Sequence, residues 1–167
     1  IDAAQQEAID AILELAVLKT EGSLKRLVVT GCLPERYQGD ILKELPEIDA
    51  VLGVGSFGEI VRAADAVLAG QNAVLFGNKD APVEEIPRVV STGPGWAYLR
   101  IAEGCDNWCA FCAIPAIRGK YRSRPVRAIL REARALLKSG CRELNIVAQD
   151  PMLYGVDLKP RLSLTDL

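Results

Sequence analysis

The chain has 167 residues, half of them hydrophobic and a quarter charged, with 20 Lys and Arg against 22 Asp and Glu and no histidine. This describes one globular domain or parts of two, with ample core, and the net charge of −2 carries no global nucleic-acid signature. No apolar stretch approaches the roughly 20 residues of a membrane span, no signal peptide opens the chain, and cysteines without an export signal argue for a reducing cytoplasm.

Residues 2–20 carry Ala8, Ile9, Ile12, Leu13, Leu15, Ala16 and Leu18 at helical spacing, and Gly22 ends the run. The chain opens at Ile1 inside this rhythm without an initiator Met and ends at Leu167 shortly after a loop, so it reads as an internal fragment. Leu27-Val28-Val29 is too short for a helix and reads as a strand that delivers Gly31 and Cys32 at its end. A second helix is predicted from Pro34, a residue favoured in a first turn, to just before Pro46. Ala50 to Val54 reads as a strand, and Ser56-x-x-Glu59 as a capping box opening a helix that runs to Leu68. Alternation of this kind predicts an α/β fold with a parallel sheet under helices across residues 1–70.

Over residues 71–95 the rhythm stops. Pro82, Pro87, Gly93, Pro94 and Gly95 interrupt any regular element, and the segment reads as a linker. A second unit over 96–167 begins with the alternating strand Ala97 to Ala102. Its helix spans 125–139, with Pro125 at the start, Ile129, Leu130, Ala133, Leu136 and Leu137 on one face, and Gly140 as the stop. Arg142 to Ala148 gives the next strand. Sites of β-α-β units lie beyond the carboxyl ends of the strands, so Cys105–Cys112 and Gln149-Asp150 are expected on one rim.

The cysteines carry the chemistry. Cys105, Cys109 and Cys112 lie in one short loop with the spacing Cys-x-x-x-Cys-x-Phe-Cys. Cubane iron–sulfur clusters normally take four cysteines, so three thiolates leave one iron open to a small molecule. The spacing suggests the amino and carboxylate groups of S-adenosylmethionine. A structural zinc loop is the alternative, but it needs four ligands, and the chain offers no histidine and only the distant Cys32 and Cys141. Five cysteines are also an odd, sparse set for a disulfide framework. Cys32 alone reads as an ordinary buried thiol, and Cys141, after the helix-stopping Gly140, as a core cysteine. The absence of histidine leaves no imidazole for proton transfer, which suits radical hydrogen abstraction.

The run from Ala97-Tyr98-Leu99-Arg100-Ile101-Ala102-Glu103-Gly104-Cys105-Asp106-Asn107-Trp108-Cys109-Ala110-Phe111-Cys112 to Ala113-Ile114-Pro115-Ala116-Ile117-Arg118-Gly119 resembles the radical S-adenosylmethionine methylthiotransferases. The resemblance continues through Tyr121-Arg122-Ser123-Arg124-Pro125 and Ala148-Gln149-Asp150 to Tyr154-Gly155-Val156-Asp157. Upstream, Val29-Thr30-Gly31-Cys32-Leu33 is similar to the end of that family's N-terminal domain. The implied fold is α/β, with the C-terminal part of an N-terminal methylthiotransferase domain over 1–70 and the start of a radical SAM partial β/α barrel over 96–167. The barrel and an RNA-binding-type domain are expected to continue past Leu167.

The same resemblance implies two 4Fe–4S clusters and S-adenosylmethionine, used as methyl donor and radical source. One cluster falls to Cys105, Cys109 and Cys112; the auxiliary one falls to Cys32 with two cysteines upstream of Ile1. A fragment with Cys32 alone is expected not to complete the reaction. Phe111 is placed beside the adenine, and Gln149 and Asp150 near the methionine moiety or ribose. Arg118 and Arg124 stand nearest the rim in the basic run 118–138, which otherwise reads as a solvated helix face, and are the candidates for a cofactor carboxylate or rRNA. The usual glycine-rich sequence for the methionine amine is not visible, Pro151 replaces a hydroxyl residue, and Trp108 has no assigned role.

Two branches of the family differ in substrate. Asp106, Ile114 to Gly119 and Gln149-Asp150 resemble the branch that thiomethylates the β-carbon of an aspartate in the twelfth protein of the small ribosomal subunit. The rival branch acts on isopentenylated adenosine in tRNA and tends to carry Asn at the positions of Asp106 and Asp150. A non-enzymatic metal-binding module is the remaining alternative. Expected partners are the ribosomal protein, free or in the small subunit, and an electron donor such as flavodoxin or ferredoxin, with no membrane.

Overall fold

Three triplets rich in Val and Leu, too short to sustain helices, pair side by side in the first half of the chain. The computed structural model describes residues 2–86, 88–93 and 95–167; Ile1 and the linker prolines Pro87 and Pro94 lie outside the described residues. The chain divides into two units, Ile1–Lys79 and Asp80–Leu167. In chain order the first holds α1 (Asp2–Thr20), β1 (Val28–Thr30), α2 (Cys32–Tyr37), α3 (Ile41–Glu44), β2 (Ala50–Leu52), α4 (Ile60–Leu68) and β3 (Ala73–Leu75). The strands are parallel in the order β1-β2-β3, with Val28 beside Ala50 and Ala50 beside Ala73.

The central strand β2 is wholly buried because both faces of the sheet are covered. Alternation divides its side chains. Val51 packs with Ile12 and Ala16 of α1, Leu27, Ile41 and Ile48. Ala50 and Leu52 pack with Ala63 and Val67 of α4 and with Ala73. An α/β sandwich results.

Three local expectations change here. The single helix predicted from Pro34 is two helices separated by a 3-10 turn, Gln38–Asp40, because Gln38 enters the left-handed region at φ 41°. Ser56 opens no capping box: its hydroxyl accepts the Gly77 N–H at 2.6 Å, the 3-10 segment Val54–Glu59 is kinked at Ser56 (φ −128°), and α4 starts at Ile60. Within 71–95, read as linker, Ala73–Leu75 pairs with β2. Three residues carry too little periodicity to announce a strand whose partners lie 23 positions back in the chain.

The second unit contains β4 (Trp96–Arg100), β5 (Ala102–Glu103), α5 (Ile114–Arg118), β6 (Arg122–Ser123), α6 (Val126–Lys138) and β7 (Glu143–Val147). β4 and β7 are parallel, Trp96 beside Glu143 through Arg100 beside Val147, and α6 makes the crossover. Ala97, Leu99 and Ile101 face a core of Ile129, Leu136, Cys141 and Tyr154, while Tyr98 alternates outward. Pro125 stays extended at φ −60° and ψ 136°, so α6 begins one residue later than expected. β5 and β6 form a small antiparallel ladder, Ala102 beside Ser123 and Glu103 beside Arg122. Among the described residues no helix is long and apolar enough to cross a membrane.

Candidate functional site

The cysteine loop leaves the end of β5 through Gly104, which sits at φ 81°; a Cβ there would lie 2.1 Å from the Lys120 carbonyl oxygen. Only glycine allows so close an approach in that conformation. Four polar contacts then fix the first half of the loop. The Gly104 N–H donates to Gln149 Oε1 at 2.8 Å, and the Cys105 N–H to the Gly119 carbonyl at 3.2 Å. Asp106 Oδ1 accepts the Tyr121 N–H at 3.1 Å, and Asn107 Nδ2 donates to Asp150 Oδ2 at 2.9 Å. The other Asp150 oxygen accepts the Met152 N–H at 3.2 Å. Gln149 and Asp150, just past the end of β7, are thus joined to the base of the cysteine loop. Burial pushes the Tyr121 hydroxyl up to about 12, so this residue under the loop stays neutral.

Among the described residues the second half of the loop has no such bracing. Trp108 turns the chain at φ 47° and is 70% exposed, and Phe111 is 85% exposed. The Cys112 N–H donates to the Cys109 carbonyl at 2.9 Å, closing a tight turn. Cys105 is buried, Cys112 half-buried and Cys109 exposed; no disulfide joins any of the five cysteines. The three thiols share one loop, but among the described residues no three metal-binding groups are gathered into a coordination sphere. Their donor chemistry fits an iron–sulfur cluster with one iron left over, provided the outer half of the loop folds in.

A buried carboxylate sits at the foot of this loop. Glu103 receives Arg100 Nη1 at 2.5 Å and Arg118 Nη1 at 3.1 Å. Since Glu103 precedes the loop and Arg118 follows it, the ion pair staples the two stems together. Glu103 belongs to no chemical motif, although an acid closing the apolar run Ile101-Ala102 directly before the cysteines is a visible signal. Arg118, the candidate for the cofactor carboxylate, is therefore already held by a carboxylate.

Arg124, the other rim candidate, is 5% exposed and committed elsewhere. Its guanidinium meets Glu85 at 2.9 and 2.6 Å, Glu132 at 2.7 Å and the Arg100 carbonyl at 2.5 Å. It fastens α6 to the preceding chain and is not offered to a ligand. Proximity in sequence to the rim misled because the side chain of the residue before Pro125 turns into the core.

In the first unit Cys32 is exposed at the first position of α2, where β1 ends. One turn on, Glu35 is buried and its Oε2 accepts the Val54 N–H at 2.9 Å. A Cβ on Gly53 would lie 2.0 Å from that oxygen, so glycine permits this bolt between α2 and the end of β2. Cys141 packs in the core with its thiol on the Glu143 carbonyl at 3.1 Å.

Comparison with known proteins places both halves. Residues 99–165 match the Radical SAM superfamily, and residues 1–53 match the uncharacterized protein family UPF0004. The ribosomal protein uS12 methylthiotransferase RimO of Thermoanaerobacter sp. (strain X514) is 45% identical over 168 residues, covering 100% of this chain and 38% of that protein. Its namesake from Desulforudis audaxviator (strain MP104C) is 46% identical over 168 residues, covering 100% of the chain and 37% of that protein. The one from Symbiobacterium thermophilum (strain DSM 24528 / JCM 14929 / IAM 14863 / T) is 47% identical over 167 residues, 98% of the chain and 34% of that protein. The chain thus spans well under half the length of the curated relatives it matches.

Proposed function

We propose that this chain, which belongs to the radical S-adenosylmethionine methylthiotransferase family, comes from a cytoplasmic enzyme that thiomethylates the β-carbon of an aspartate in a small-subunit ribosomal protein. The observation that carries the reading is the three-cysteine loop braced by Gln149 and Asp150 at the carboxyl end of a parallel β-α-β unit. The names of the relatives favour a ribosomal protein over tRNA as substrate.

Cys105, Cys109 and Cys112 would hold a 4Fe–4S cluster, three thiolates being the donor set that leaves one iron for S-adenosylmethionine. When bound, the cluster supplies the electron for reductive cleavage of S-adenosylmethionine, the source of a hydrogen-abstracting radical. The chain's own contribution is placement. Gln149, Asp150 and Asp106 fix the base of the loop, Phe111 offers an aromatic face for the adenine, and Arg118, aligned by Glu103, is the cation for the methionine carboxylate. Cys32, with two cysteines from outside this chain, would hold the auxiliary cluster. The N-terminal domain is assigned residues 1–79, so that β3 stays with its sheet, the linker follows it, and 96–167 form the opening of the barrel. Electrons would come from a flavodoxin- or ferredoxin-type donor.

The test is to reconstitute the full-length protein anaerobically with iron and sulfide and to offer each substrate separately with S-adenosylmethionine and a reductant. A methylthio group on the ribosomal protein's aspartate, read by mass spectrometry, and none on isopentenyladenosine is the expected result. Modification of the tRNA alone would overturn the substrate assignment.

A further inference from the structure

The outward ridge of α6 carries charge of a single sign. Arg127, Arg131, Arg134 and Lys138 are all exposed and follow the spacing i, i+4, i+7, i+11. At about 3.6 residues per turn this keeps the four within about 60° of one line, along about 16 Å of helix. Ile129 and Leu136 are buried on the opposite side.

An ordinary solvated helix face mixes signs, since opposite charges at i,i+4 support a helix and like charges oppose it. Here Arg127 and Arg131, and again Arg134 and Lys138, are like pairs at that spacing. The one acid of α6, Glu132, is turned away to Arg88 at 2.8 Å and Arg124 at 2.7 Å. Among the described residues the single carboxylate within ion-pair distance of the ridge is Glu85, 3.9 Å from Arg131. A chain with net charge −2 has therefore concentrated four cations on one line, and such a stripe creates a local field that the overall balance conceals.

The geometry points to this ridge as a docking surface for the phosphate backbone of the RNA around a ribosomal-protein substrate, an inference that rests on the ribosomal reading of the function. Protein interfaces are anchored by buried aromatic or aliphatic residues, and the ridge has none: Leu130 and Leu137 lie to one side of it. Interfaces with nucleic acid are polar and strongly positive. Three of the four cations are arginines, whose planar fork takes two phosphate oxygens at once. None of the four belongs to the cysteine loop or its anchors, so docking and chemistry are separable.

The experiment uses the full-length reconstituted protein and a variant carrying Arg127→Gln, Arg131→Gln, Arg134→Gln and Lys138→Gln, whose fold is checked by circular dichroism. Binding to purified small-subunit rRNA is measured by fluorescence anisotropy across a salt series, alongside polyglutamate as an acidic protein mimic. Loss of four phosphate contacts lowers the slope of log K against log salt by about 3, with affinity at low salt reduced at least tenfold and polyglutamate binding little changed. A second variant with Arg127→Lys, Arg131→Lys and Arg134→Lys keeps most of the slope. Thiomethylation of the free ribosomal protein stays within twofold of wild type, whereas modification of the intact subunit falls at least tenfold. An unchanged salt slope, or an equal loss on polyglutamate, overturns the inference. Failure of the wild type to thiomethylate either form would sink the functional reading instead, and the rRNA slopes would still judge the ridge by itself.

Discussion

Glu103 shows how one side chain sets the stance of a whole loop. It is buried two residues before Cys105 and is neutralised by Arg100 and Arg118, one from the strand that enters the region and one from the helix that leaves the loop. Removing one partner of a fully buried ion pair costs about 3–5 kcal/mol. Arg100 still reaches water, so Glu103→Gln is expected to destabilise by about 2 kcal/mol, after allowing for that screening. Arg118→Gln should cost less, because Arg100 remains on Glu103. The double variant should fall short of the sum of the two singles, since each removes the same interaction. Urea unfolding of the three variants measures this, and strict additivity would show that the pair is not coupled. Arg118 was legible as a cation near the rim, but its partner was not, because an ion pair between residues 15 positions apart leaves no local pattern. Arg124 was misread for the same reason: Glu85, its main partner, lies in a segment that reads as linker.

Among the elements, the cysteine loop is two different things end to end. From Gly104 to Asn107 it is tied to Gln149, Gly119, Tyr121 and Asp150; from Trp108 to Phe111 it is exposed, and among the described residues one internal turn, closed by the half-buried Cys112, holds it. Ligand-bearing segments of this kind come from the low-stability end of a structure. The expectation is that Cys105 stays in place while Cys109 and Cys112 move inward as iron and sulfide bind. Anaerobic reconstitution should load about four irons on this loop, lost in Cys109→Ala and kept in Cys141→Ala, whose thiol is part of the core. Hydrogen exchange at 108–112 should slow on loading while 104–107 changes little. Uniform exchange along the loop in both states would contradict the division into fixed and free halves. The sequence announced the elements long enough to show their own period, namely the long helix α1, the amphipathic α6 and the five-residue alternating strand β4. It concealed those completed by distant partners. β3 exists because β2 lies beside it, and Ser56 leaves its helix because the Gly77 N–H needs an acceptor.

At the scale of the whole molecule, each unit is fastened in part by a carboxylate shared between cations from separate segments. Asp49 receives Lys19 Nζ at 2.8 Å, Arg26 Nη1 at 3.5 Å and the Leu27 N–H at 2.8 Å, joining α1 and the start of β1 to the entrance of β2. Glu132 receives Arg88 and Arg124. Burial pushes both carboxyls up, but the hydrogen bonds and charges of these cations outweigh it and hold both below the usual carboxylate range. A group whose pKa is lower in the folded state stabilises the fold above its unfolded value, about 4. As pH falls the unfolded chain takes up these protons first, and the contribution is lost as pH drops through the folded values. No histidine is present to titrate near neutrality. Unfolding free energy from urea titrations followed by circular dichroism should therefore be level between about pH 5 and 7 and should decline below about pH 4. Asp49→Asn and Glu132→Gln should each lose about 1–3 kcal/mol at neutral pH, as charged hydrogen bonds are replaced by neutral ones. Their gap from wild type should narrow toward about pH 3, where the native carboxylates begin to protonate as well. A gap of the same size at both ends of the series would mean that the lost stability came from packing, and that these two carboxylates do not set the acid limit of the fold.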